Sequence, residues 1–506
     1  MFKWVKKLVD LFVSDVEKPA ETQLTFTVEE VPEIILPEPV VLLPTAPIAP
    51  KRPETDLVVT SAYTESGRVE LRERLIAEVR GFYEPWQGNI VPDTICHAMI
   101  EPLPDNALYL VLFAPEFVEA LVHIKHVNPE NIMFFGDDKK LNNIVKRLYG
   151  VHKGGILNKD MSTLSSILTE GITVKFDKLV VVGNPPYQKT TANPDATTNA
   201  RQGTPLYNLF IEEIIENLTP DYLTFIIPSR WMTGGMGLAK FRQNMLKDKR
   251  MKRIRHYADS DTIFPTLGGI TAGVQYFLWE KDYSGPCTYV DDSGKERIEY
   301  LNTYENIFLV DINAKSILEK CQTHTMLPEN HPLQLDAFGL PTNYNSWVPE
   351  GEGVPCYASY KTYKGVLQHA KPSDVRDKKN LLNKWKICVG KATVEAGGGA
   401  ELPSRRIFAH YFLLKPGAVC TFTYVVVSAF NTEDEARNFL SYMRTKFFRF
   451  MLGLRVTTQD ITSDRFAWVP DMGDYTKTWT DEELYATFAL SAEERTYIEA
   501  KIKPLE

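Results

Sequence analysis

Apolar positions along this chain follow two patterns, continuous short runs and helical spacing, and between them they predict most of its elements. The run Lys178-Leu-Val-Val-Val182 is rich in β-branched residues, which predicts a strand buried on both faces. Tyr109–Ala114, Asn131–Phe135 and Tyr222–Ile227 read as strands too. Helices are predicted over Glu70–Phe82, Thr94–Pro102, Glu116–Val127, from beyond Asp138 to Tyr149, over Leu206–Leu218 and near Leu238–Leu246. Strand–helix alternation of this kind predicts an α/β fold with a parallel, doubly wound sheet over residues 57–282. From 283 to 506 the alternation fades into mixed, loop-rich sequence with many aromatics, a second domain. Residues 1–16 form a different pattern. Phe2, Trp4, Val5, Leu8, Val9, Leu11 and Phe12 with Lys3, Lys6 and Lys7 between them predict an amphipathic helix suited to a membrane surface or a partner protein. Residues 17–56, rich in Pro and Glu, predict a mostly disordered linker.

The 506 residues suffice for two or three domains with their own cores. Six scattered cysteines with no C-x-x-C pair argue for reduced thiols in a cytoplasmic protein and against a zinc site, and no metal is expected. No apolar stretch reaches the length of a membrane span. The net charge of −8 sits awkwardly with a nucleic-acid partner unless basic residues cluster. Residues 240–255 carry eight positive charges and one negative, and further basic stretches run from Lys371 to Lys391 and from Arg444 to Arg455. Each is either a solvated face or a nucleic-acid contact; Lys240, Arg242 and Arg250 are the candidate contacts in the first.

The candidate chemistry lies at residues 183–187, Gly-Asn-Pro-Pro-Tyr, directly after the run that ends at Val182. Ligand groups gather at the carboxyl ends of such strands. Two consecutive prolines fix φ and remove two donors, which leaves carbonyls that can only accept. Asn184 adds a side-chain acceptor and Tyr187 a flat ring. Two acceptors beside a stacking face suit the exocyclic amino group of a flipped base.

On these residues the chain resembles the DNA adenine-N6 methyltransferases with the catalytic domain first, as in restriction–modification systems. The resemblance implies a Rossmann-like methyltransferase sheet followed by a mixed α/β target-recognition domain, with S-adenosylmethionine as cofactor and double-stranded DNA as partner of a monomer. It implies that Asn184 and Pro185 hold the adenine amino group, that Pro186 stiffens the loop and that Tyr187 stacks on the base. Val91-Pro92-Asp93-Thr94 resembles the amino-terminal cofactor motif, whose Pro92 and Thr94 line the methionine end. Asp137 matches the residue that binds ribose hydroxyls. Asp160, with Met161 beside it, matches the one that accepts the cofactor's adenine amino group. The pattern departs at Leu112–Phe117, where relatives carry a glycine-rich loop and this chain has no glycine. Phe113 and Glu116 stand there instead, Glu116 opening the helix and available to the cofactor's ammonium group. Thr224–Gly234 resembles the next strand and loop, and 257–279 the closing hairpin, in which Phe264 either holds the base or belongs to the core. The resemblance covers about 85–280 and 420–504. The absence of a Pro-Cys pair argues against cytosine C5 chemistry, and no nuclease signature precedes the methylase region. A methylase of RNA or of protein glutamine, or a non-catalytic DNA- or restriction-partner-binding descendant, remains the alternative.

Overall fold

The computed structural model describes residues 65–83, 90–157, 176–191, 202–235, 237–265, 270, 272–304, 307–393, 404–456 and 460–505. The expected amino-terminal helix and linker, and Asp160 and Met161, lie outside the described residues.

Four short apolar runs become neighbouring strands: β1 (Leu108–Leu112), β2 (Ile132–Gly136), β4 (Leu179–Gly183) and β7 (Tyr222–Pro228). With β3 (Lys153–Ile156), β8 (Met251–Tyr257), β9 (Val274–Glu280), β10 (Cys287–Val290) and β11 (Glu296–Glu299) they form one sheet, in the order β3-β2-β1-β4-β7-β9-β8-β10-β11. A separate hairpin pairs β5 (Gln188–Thr191) with β6 (Gln202–Pro205). The five strands from β3 to β7 are mutually parallel. Beyond them the sheet is mixed, because β9 runs antiparallel to both β7 and β8, and β11 antiparallel to β10. The half from β3 to β7 is the parallel, doubly wound sheet expected from the sequence. The sheet also extends past the expected boundary at 282, since β10 pairs in parallel with β8.

Strand alternation feeds two cores. Tyr109, Val111, Val180, Val182 and Ile226 face α1 (Glu65–Tyr83), α2 (Asp93–Ile100), α3 (Glu116–His123) and α4 (Lys139–Tyr149). Leu108, Leu110, Val181, Phe225 and Ile227 face α5 (Tyr207–Glu213) and α6 (Ala239–Lys247). Helices on both faces explain why β1 is buried throughout. Helix starts follow capping chemistry: Asp138 accepts from the Lys140 N–H at the start of α4, and Gly150 ends that helix in a left-handed turn.

The carboxyl-terminal region is built on a three-stranded antiparallel sheet of Trp385–Gly390 between Tyr411–Leu414 and Tyr424–Phe430. Helices Glu433–Arg444 and Lys446–Gly453 cover one face, where Ile387, Val389, Val425 and Val427 point. Cys388, Leu414 and Val426 meet a second small sheet, at Val354–Tyr357 and its neighbours, on the other. Residues 301–314 stitch this body to the large sheet: Leu301, Phe308 and Ile312 enter the α5–α6 core, while Tyr304, Ile307 and Leu309 enter the carboxyl-terminal one.

Candidate active site at the carboxyl ends of the strands

The chain leaves β1 toward β2 on one side and returns as β4 on the other, so strand order reverses between β1 and β4. That reversal opens a crevice outside the carboxyl ends of the two strands, where doubly wound sheets bind ligands. The register sets the relevant ends level, with Leu112 opposite both Phe135 and Gly183. Phe113, Asp137 and Asn184 follow these three residues closely, so the fold brings them to one edge.

Gly183 is required for that approach. A Cβ there would lie 2.2 Å from the Leu112 carbonyl oxygen, which no side chain tolerates. The Asn184 N–H donates to the same carbonyl at 3.2 Å. Asn184 is 3 % exposed, and among the described residues its buried Oδ1 has no hydrogen-bond partner. A buried acceptor left in that state costs about 1–3 kcal/mol. Pro185 and Pro186 are buried, and the half-buried Tyr187 ring packs against the α1–α4 core. Its hydroxyl is enclosed without a partner, and burial pushes its ionisation well above the usual phenol range.

At the end of β1, Phe113 takes a left-handed backbone, φ 65°, the conformation glycine supplies most readily. The chain thus turns in the left-handed region here without a glycine. The Phe113 ring anchors it in the α5–α6 core, edge-on to Phe210 at 5.4 Å. Glu116 opens α3 as expected, but it is fully buried, and its Oε1 accepts from the Val91 N–H at 2.7 Å. It therefore joins the segment carrying Pro92 to the β1 end. Pro92 and Asp137 are half-buried, and Thr94 is exposed on α2.

The other expected contacts are dispersed. Phe264 is 0 % exposed and lies in the α1–α4 core, so it presents no open face. Lys240 is exposed on the first turn of α6. Arg250 precedes β8, at the opposite edge of the sheet from Asn184. There it forks onto Asp248 at 2.8 and 2.9 Å and stacks over the Trp279 ring, 4.5 Å from its centroid. The run 240–255 is no single basic surface: Lys252 pairs with Glu280 at 2.7 Å and Arg253 with Glu296 at 3.0 Å. The other two basic stretches also turn partly inward. Lys386 is 0 % exposed and its Nζ lies within hydrogen-bond reach of four backbone carbonyls, with burial pulling its pKa down to about 8. Arg449 is 1 % exposed.

Sequence reasoning missed Gln275, fully buried on β9 with neither side-chain polar atom partnered among the described residues. Its signal was a polar residue in the otherwise apolar stretch that pairs with Ile227. A cavity of about 400 Å³ opens further along the same edge, lined by Ser229, Thr233, His256 and Asp291 from the sheet side and by Arg405 and Lys501 from the carboxyl-terminal body. Among the described residues no helix is long and apolar enough to cross a membrane, and all six cysteines are free thiols.

Residues 119–264 match the Eco57I restriction-modification methylase family. An adenine-specific methylase of Mycoplasma pneumoniae, itself uncharacterized, is 31 % identical over 144 residues, 28 % of this chain and 32 % of the relative. The chain thus spans about a third of that relative's length. Among solved structures, the type IIL restriction-modification enzyme MmeI, in complex with DNA, aligns at 8 % identity and a TM-score of 0.37, over 81 % of this chain and 66 % of that one. A type I restriction-modification methyltransferase subunit from Streptococcus thermophilus aligns at 13 % identity and a TM-score of 0.31, over 47 % of this chain and 53 % of that one. The part of the chain that carries the Asn184 loop is thus similar to restriction–modification methylases, and the curated relative it matches there is described as an adenine-specific methylase.

Proposed function

We propose that the chain is a site-specific DNA methyltransferase that transfers the methyl group of S-adenosylmethionine to N6 of a flipped adenine. One observation carries the reading: Asn184 Oδ1 is a buried acceptor at the β1/β4 crevice with no hydrogen-bond partner among the described residues. An exocyclic amino group supplies the donors that such an acceptor lacks. Asn184 Oδ1 and the Pro185 carbonyl would accept from the amino group and hold its nitrogen lone pair toward the donor, so catalysis is orientation without a covalent intermediate. Tyr187 would offer its ring to the base.

The crevice residues fit the cofactor. The left-handed turn at Phe113 would let the chain end β1 beside a cofactor, Asp137 would offer a carboxylate beyond β2 for ribose hydroxyls, and Pro92 lies on the segment held by Glu116. S-adenosylmethionine supplies an electrophilic methyl when bound. The carboxyl-terminal body would hold and read the duplex.

A second reading, a non-catalytic descendant that binds DNA or a restriction partner, has its own support. Pro185 and Pro186 are closed in by packing, and Glu116 is already engaged by Val91. Binding of labelled S-adenosylmethionine separates the two. The direct test is sequencing of plasmid DNA from cells expressing the protein, with a readout sensitive to methylated adenine. We expect modified adenine at one sequence, lost at least 100-fold in Asn184→Ala. Unchanged methylation in that variant would overturn the assignment.

A further inference from the structure

Beyond the Asn184 crevice, the turn that follows β7 gathers an excess of buried positive charge. Two guanidinium groups converge on Gly234: a Cβ there would lie 3.4 Å from Arg242 Nη1 and 3.5 Å from Arg465 Nη1. Arg465 Nη1 donates to the Thr233 carbonyl at 3.1 Å and to the Arg455 carbonyl at 2.9 Å, which draws the carboxyl-terminal body onto this turn. Arg455 is 9 % exposed and Arg465 7 %. Among the described residues the cluster has one acidic neighbour, Asp464, whose side chain is 60 % exposed and 3.7 Å from Arg465 Nε.

The unmet groups at this turn are donors. Among the described residues, Arg465 Nε and the Thr233 hydroxyl are buried without hydrogen-bond partners, and so is Nε of Arg455, whose guanidinium lies over the Trp468 ring, 4.9 Å from its centroid. Burial holds the Arg455 guanidinium down at about 10, with Arg465 and Arg242 pushing the same way and Asp464 opposing. Burial and Arg465 likewise lower Arg242. Like charges in partial burial with unmet donors form an arrangement that an anion would complete.

We propose that Arg242, Arg455 and Arg465 seat one backbone phosphate of a bound duplex, an inference that rests on the reading of the chain as a DNA methylase. Position supports the source of the phosphate. β7 runs parallel beside β4, with Gly183 opposite Phe225, so the turn lies on the edge that carries Asn184. Arg242 comes from the methylase domain, Arg455 and Arg465 from the carboxyl-terminal body. A phosphodiester held by both would fix their grip on the same strand.

The test is duplex binding by the full chain across a salt series, with no methyl transfer required. Each phosphate contact contributes about 0.9 to the slope of log affinity against log salt concentration. We expect the slope to fall in Arg455→Gln, by at most that amount because two arginines remain on the phosphate, and to be retained in Arg455→Lys. Arg242→Gln, on a half-buried side chain, repeats the measurement should Arg455→Gln fail to fold, with thermal melting reporting the fold of each variant. Equal slopes in the wild type and the folded Gln variant overturn the proposal, as does absence of duplex binding. A thermal shift with inorganic phosphate, absent with chloride at equal ionic strength, together with an unchanged duplex slope would mark a free-anion seat and overturn the duplex assignment. A reduced slope in a chain that methylates nothing leaves the seat standing and removes the enzymatic reading instead.

Discussion

At the scale of single residues, Asn184 shows the conflict between stability and chemistry most plainly. Its Oδ1 is enclosed without a partner, and replacing such a group by an apolar one of similar shape is neutral or stabilising. Asn184→Leu is therefore expected to raise the urea midpoint, by about 1 kcal/mol of stability, while abolishing methylation. A lowered midpoint would mean that the side chain is held by structural bonds and is no poised acceptor. Phe113 and Gly183 make the complementary point about backbone. Gly183 was visible in the sequence as a strand end, but the 2.2 Å approach to Leu112 that forbids any other residue belongs to the β1–β4 pairing. The absence of glycine at Phe113 looked like a loss in the sequence. The structure gives Phe113 a left-handed backbone and uses its ring as an anchor.

At the scale of elements, α1 is locked to α2 and α3 by charges that no local pattern announced. Arg72 donates to Glu119 at 2.8 Å, Arg68 to Glu119 at 3.2 Å and to Asp93 at 2.9 Å. Glu119 is fully buried, so Glu119→Ala removes the buried carboxylate that two guanidinium groups share and leaves them the half-buried Asp93. We expect a loss of about 3–5 kcal/mol in chemical denaturation, and a much smaller loss when Arg72→Met and Glu119→Leu are combined. Asp471 carries the pH dependence. Burial opposes its ionisation, but His331, Tyr475, Asn330 and the Gly473 N–H outweigh it and hold the carboxyl far below the usual range. A depressed folded pKa gives stability that is present above the ordinary carboxylate value, about 3.9, and lost as pH falls below it. The acid limb of the stability curve should be shallower in Asp471→Asn than in the wild type. Identical limbs would show that the aspartate is not linked to folding.

At the scale of the whole molecule, residues 301–314 make the large sheet and the carboxyl-terminal body interdependent, because alternate side chains of one segment enter two cores. A fragment ending at 282 lacks β10, β11, Phe308 and Ile312, and exposes the β8 edge. It is expected to aggregate or remain unfolded, whereas residues 57–506 should unfold in one transition by both fluorescence and circular dichroism. A stable, monomeric 57–282 fragment would show that the boundary read from the loss of strand–helix alternation is the true one. The basic stretches teach the same lesson about scale. Arg250, Lys386 and Arg449 belong to runs that suggested DNA-facing surfaces, yet each is engaged within the fold.

The amino-acid sequence alone determined the four central strands, the helices between them and the acceptor loop at Asn184, because apolar continuity, period and proline stiffness act within a few residues. Only the tertiary structure decided the mixed half of the sheet, the burial of Phe264 and the direction each charge faces. Those depend on partners from distant positions, such as Asp248 and Trp279 for Arg250 or Thr233 for Arg465. Whether a charged side chain meets water or a buried carbonyl is settled by what packs against it, and no local period encodes that.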